Sequence, residues 1–109
     1  MTHPTPSGGP LAGFQRKHLR KLAHGLKPVV SVGDGGLSPA VGRALDDALA
    51  HHELVKVKLH QPADKKATAA ELARIGGAEL CGLVGHTVIL YRRNQDEPRI
   101  EVPERPAAG

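Results

Sequence analysis

The sequence predicts an α/β fold: a single compact domain of element order α-β-α-β-α-β-β, with a four-stranded mixed sheet packed with helices. Three observations lead there. Segments with the apolar period of a helix alternate with short runs carrying the two-residue period of a strand. The first of those runs, Val29 to Val32, ends in Gly33-Asp34-Gly35-Gly36, and Ser38 and Pro39 then supply an N-cap and a first helical residue. Near the end, Glu79 to Val84 and Thr87 to Arg92 flank Gly85-His86 like the arms of a hairpin. Alternating units of this kind build a small sheet layered with helices.

The chain has 109 residues, enough for one domain and a modest core. Residues 1–10 show neither period and read as a flexible arm, the domain spans 11–92, and 93–109, rich in proline and charge, reads as a flexible tail. Leu11, Phe14, Leu19, Leu22 and Leu26 fall in one sector of a first helix. Arg16, Lys17, Arg20 and Lys21 project from the opposite side with His24 among them, and Gly25 and Pro28 close the helix. Val29 to Val32 reads as a buried strand. A second helix from Ser38 to His52 repeats Val41, Ala44, Leu45, Ala48 and Leu49 inward, with Arg43, Asp46 and Asp47 outward and His52 at the edge of the core. Glu53 to His60 alternates strictly, placing Val55, Val57 and Leu59 inside and Lys56, Lys58 and His60 outside. Gln61-Pro62 breaks the chain, Asp64 caps a third helix, and Gly76-Gly77 ends it.

Net charge is +4 and the pI is near 9.6, which points to an acidic partner. The distribution says more than the total. Residues 1–36 hold Arg16, Lys17, Arg20, Lys21 and Lys27 against Asp34 alone, so the positive field gathers around the first helix and the glycine loop. Lys56 and Lys58 add to it from the outer face of their strand.

Several classes drop out. Cys81 is the only cysteine, so neither an intrachain disulfide nor a cysteine zinc cage can form. No segment has the apolar length of a membrane span and the N-terminus has no signal-peptide core, so a soluble, cytoplasmic protein is expected. His51 and His52 are adjacent and diverge by about 100° on a helix, and no His-Glu-x-x-His occurs, so no metal is expected. There is no Gly-x-Ser-x-Gly elbow and no P-loop lysine, which argues against an enzyme and against any cofactor. The only aromatics are Phe14 and Tyr91, too few for a sheet that stacks bases on exposed rings. Recognition through phosphates and shape remains. Glycines at 33, 35 and 36, ahead of a helix N-terminus, would turn backbone N–H groups toward an anion.

Leu11-Ala12-Gly13-Phe14-Gln15-Arg16-Lys17-His18-Leu19-Arg20, Leu22-Ala23-His24 and Leu26-Lys27-Pro28-Val29-Val30 strongly resemble the bacterial YhbY family, single-domain members of the CRM group. Val32-Gly33, Gly36-Leu37-Ser38, Ala44 to Leu49, His51 to Lys58 and Val84 to Arg92 continue the resemblance in order, over residues 11–92. It implies a fold similar to the C-terminal domain of translation initiation factor three and a Gly-x-x-Gly loop like that of KH domains. It also implies RNA binding linked to assembly of the large ribosomal subunit; the expected partner is structured ribosomal RNA, and a monomer is expected. Carried over by position, Gly33 and Gly36 define the loop, and Arg16, Lys17, Arg20 and Lys21 stand on the basic first helix. Asp34 departs from the pattern, since a basic or neutral polar residue is expected there. The other partner chemistry that fits a basic patch is an acidic surface on a ribosome-associated protein.

Overall fold

The computed structural model describes residues 11–33 and 36–103. The N-terminal arm, the end of the tail and the two loop residues Asp34 and Gly35 lie outside the described residues. Seven elements follow in the expected order: α1 (Gly13–Ala23), β1 (Val30–Val32), α2 (Pro39–His52), β2 (Leu54–Leu59), α3 (Lys65–Gly76), β3 (Glu79–Val84) and β4 (Thr87–Tyr91). The sheet runs β1-β2-β4-β3. β1 and β2 are parallel across the α2 crossover, while β4 is antiparallel to both β2 and β3. The β3–β4 hairpin therefore folds its second arm into the gap between β2 and β3.

Caps fix where the helices start. Ser38 Oγ accepts the Val41 N–H at 3.3 Å with Pro39 at the first helical position, and Asp64 Oδ1 accepts the Ala67 N–H at 3.1 Å. α3 stops at Gly77, whose φ of +58° is the left-handed geometry a glycine takes without a Cβ penalty.

Strand alternation sorts the core into two layers. Val30, Val32, Val55, Val57, Leu59, Val88 and Leu90 face α2 and α3, packing on Leu45, Ala48, Leu49, Ala69 and Leu72. Leu54, Ile89 and Tyr91 face the other way, with Leu11, Leu19 and Ala23 from the α1 side. Cys81 joins this second layer by alternation from Leu80, and the bulge that leaves it unpaired returns Gly82 to the same side, opposite Ile89.

Two expectations change here. The first helix is shorter than its apolar pattern, ending at Ala23, and Leu22 and Leu26 are 44% and 42% exposed. Only the stripe through Leu19 and Ala23 meets the sheet, so the outer positions of the same sector stay in water. His52 is likewise exposed, because the buried stripe of α2 ends at Leu49.

The described part of the tail is no free arm. Asn94, Arg99 and Ile100 donate their backbone N–H groups to the Glu53 carboxylate, Gln15 Nε2 donates to Pro103 O, and Ile100 and Val102 pack against the α1-side core.

Burial pushes the Cys81 thiol up to about 12, with Glu79 adding and Arg16 and Arg20 opposing. Burial, aided by Glu53, raises Tyr91 to about 12 as well. Both groups are held neutral in the fold, so their contribution is complete below the ordinary values of 9.0 and 10.0 and is lost as pH climbs toward 12. Chemical denaturation should show stability falling across that window. The native thiol should resist iodoacetamide near neutral pH, and labelling as fast as in the unfolded chain would contradict its burial.

Candidate nucleic-acid interface

Sheet width creates the site. Four strands spaced at about 4.8 Å span roughly 19 Å, whereas a helix with its side chains is about 10 Å across. α2 and α3 together cover one face, while the other carries a single helix, α1, mainly over β3, with Ile100 and Val102 of the tail against the same core. What α1 leaves open bears Lys56, half-buried, and Lys58 and Ser31, exposed.

Between α1 and this open region runs a groove of about 780 Å³. Lys17, Arg20, Lys21 and His24 form one wall; Lys56, Val84, Thr87 and Ile89 form the sheet side. Among the described residues, no carboxylate lines it. Cross-strand pairing sets its neighbours. Ser31, Lys58, Thr87 and Val84 make one row across all four strands, and Lys56, Ile89 and Gly82 make the next. The first row runs from the groove to the β1 edge, where the glycine loop departs.

The basic residues divide into different kinds. Lys17 and Lys21 are exposed, and their side chains make no hydrogen bond or ion pair among the described residues. Their ammonium groups stay hydrated and free to meet an anion. Arg20 is committed: Nη1 donates to Cys81 O at 2.8 Å, and its stem crosses β3 at Gly82. A Cβ at Gly82 would stand 2.6 Å from Arg20 Cδ. Lys56 Nζ donates to Leu26 O at 3.0 Å, tying the α1–β1 connection to the groove's edge.

Arg16 does not share the exposed face expected for it. It is half-buried and turns back to donate to Leu11 O at the start of α1. Helical geometry places it between the core stripe and the flank, so it secures the helix start and does not line the groove. Lys27 is exposed in the connection before β1 and also lies off the groove.

Of the glycine loop, Gly33 and Gly36 lie within the described residues, and two of the donors there are spent inside the turn. Gly36 has φ +69°, its N–H donates to Gly33 O at 3.0 Å, and Ser38 N–H donates to Gly36 O at 3.1 Å. Pro39 has no N–H and that of Val41 is bound to Ser38, so these donors close the turn on itself. Beside the loop lies a second cleft of about 420 Å³, bounded by Gly33, Gly36, the segment 59–64 and the first turn of α3.

Sequence reasoning missed His24 as a groove residue, the apolar floor and the role of Gly82. Gly82 was the available signal, because an isolated glycine inside a strand marks a bulge or a close approach. Among the described residues, no three His, Cys, Asp or Glu side chains cluster to hold a metal ion, and no helix is long and apolar enough to cross a membrane.

Fold and groove define a three-layered α/β domain with one cationic, partly apolar face. The chain belongs to the CRS1/YhbY (CRM) domain family, whose model matches residues 11–92. It is 34% identical over 95 residues to YqeI of Bacillus subtilis (strain 168), named a probable RNA-binding protein, covering 85% of this chain and 99% of that one. It is 37% identical over 98 residues to an RNA-binding protein of Haemophilus influenzae, covering 87% and 97%. The solution structure of the hypothetical protein SAV1595 from Staphylococcus aureus, a candidate RNA-binding protein, superposes with a TM-score of 0.76 at 34% identity, over 85% of this chain and 99% of that one.

Proposed function

We propose that this protein is a non-catalytic RNA-binding module that holds phosphates in the groove between α1 and the sheet. The carrying observation is the groove itself, where Lys17, Arg20, Lys21, His24 and Lys56 converge with no acid among the described residues that line it. Converging cations in a recess raise the local potential above that of charges scattered on a convex surface. Lys58 extends this field along the first cross-strand row, and the Gly33–Gly36 loop offers a further contact at its end. Arg16 and Lys27 act at longer range.

The RNA-binding names of the relatives support nucleic acid over an acidic protein surface as the partner. The resemblance to bacterial YhbY proteins supports ribosomal RNA of the assembling large subunit as the target; in this reading a monomer meets it in the cytoplasm. Cys81 is buried and protonated, and among the described residues no carboxylate or thiol lines the groove as a nucleophile, which supports a binding role without turnover.

The test is titration of large-subunit ribosomal RNA fragments against salt. Several phosphate contacts should give a log–log slope of roughly −3 to −4. Polyglutamate of matched charge binding as tightly as the RNA would overturn the reading.

A further inference from the structure

We propose that the groove seats an unpaired nucleotide with its base stacked on the Arg20 guanidinium, so that the protein selects single-stranded or bulged RNA over continuous duplex. This rests on the RNA-binding reading above. Of the lysines and arginine in the groove, Arg20 alone is planar, and it is held before any ligand arrives. Nη1 is bound to Cys81 O at 2.8 Å, and Gly82 gives the stem its path, since an ideal Cβ there would lie 2.6 Å from Cδ and 3.0 Å from Cγ. The side chain remains exposed. A fixed guanidinium plane on an exposed residue is a stacking surface for a base, and the His24 imidazole on the same wall offers a second ring beside it.

The floor favours a base as well. Val84 is 62% exposed at the end of β3, beside Thr87 and Ile89. A phosphate gains nothing from that apolar surface, whereas the face of a base covers it and removes it from water. Duplex RNA keeps its base faces stacked inside, offering only backbone and groove edges to a protein. Unpaired RNA can turn a base inward while its flanking phosphates reach Lys17, Lys21 and Lys56. The volume of about 780 Å³ lies within the roughly 300–1,000 Å³ of pockets that hold small ligands.

The experiment compares an unstructured oligonucleotide with a blunt hairpin duplex of equal phosphate count, by fluorescence anisotropy across a salt series. Wild-type protein should bind the single strand at least about fivefold tighter, the lower end of what one stacked base contributes. Arg20→Lys keeps the charge, so the salt slope should stand while most of the preference disappears. Gly82→Ala pushes the Arg20 stem off β3 at constant charge and should do the same; if it fails to fold, Arg20→Lys decides. Equal wild-type binding to both RNAs, or a full preference in Arg20→Lys, overturns the inference. Salt-dependent binding without a strand preference sinks this inference alone, whereas salt-independent or absent binding sinks the RNA reading itself.

Discussion

Replacing Lys17, Lys21 and Lys56 together by glutamine is expected to weaken RNA binding on the order of 100-fold near 0.1 M salt and to flatten the log–log salt slope by about two to three. Each cation that neutralises a phosphate releases roughly 0.7–0.9 of a counterion, so three lost contacts remove that many powers of the salt concentration. Fold stability should barely move. The side chains of Lys17 and Lys21 make no hydrogen bond or ion pair among the described residues, and Lys56 loses one exposed hydrogen bond to Leu26 O. Loss should be uniform across RNA sequences, because phosphate contacts carry no sequence information. Arg16→Gln is the informative contrast. Its side chain is spent on Leu11 O, so the slope should change by well under one unit while the melting temperature drops. An Arg16 effect on the slope as large as that of Lys17 would return the site to the whole basic face of α1.

That contrast shows where sequence reasoning reaches its limit. Strand faces were legible because alternation is a local property: Val55, Val57 and Leu59 turned inward as read, and Ser38, Pro39 and Asp64 cap or open their helices as read. A cluster of cations on one helix was legible too. Its division was not, because Arg16 and Lys17 are adjacent and differ only in what the fold brings beside them. Arg20 became a fixed plane through a β-bulge at Cys81 and a glycine at 82, sixty-one and more residues away in the chain. The groove depends on an arithmetic mismatch, one helix over a four-stranded face, which no single segment encodes. In the glycine loop, whose residue types suit an anion, the N–H groups of Gly36 and Ser38 are spent inside the turn, a detail that composition does not carry.

Glu53→Ala is expected to cost on the order of 3 kcal/mol and to lower the melting temperature by roughly 12–24 °C, at about 4–8 °C per kcal/mol for a domain of this size. In the sequence Glu53 is one more acid opening an alternating strand. In the fold it is 1% exposed, the capping residue after α2 at φ +59°, and the anchor of the tail. Oε2 accepts the Asn94 N–H at 2.7 Å, while Oε1 accepts those of Arg99 and Ile100, both at 2.8 Å. A carboxylate ringed by backbone donors satisfies three part-buried N–H groups that alanine would leave unpaired, where a fully buried one costs about 1–3 kcal/mol. The chain can limit that loss by detaching residues 94–103, but Ile100 and Val102 then leave the α1-side core and Gln15 loses Pro103 O. Amide exchange separates the two routes: protection at Asn94, Arg99 and Ile100 should collapse in Glu53→Ala while β2 and β4 stay protected. Because the tail braces α1, one wall of the groove loosens with it, and RNA affinity should fall several-fold with no change in salt slope. A variant that melts like the parent with those amides still protected would mean that the carboxylate is not what holds the tail.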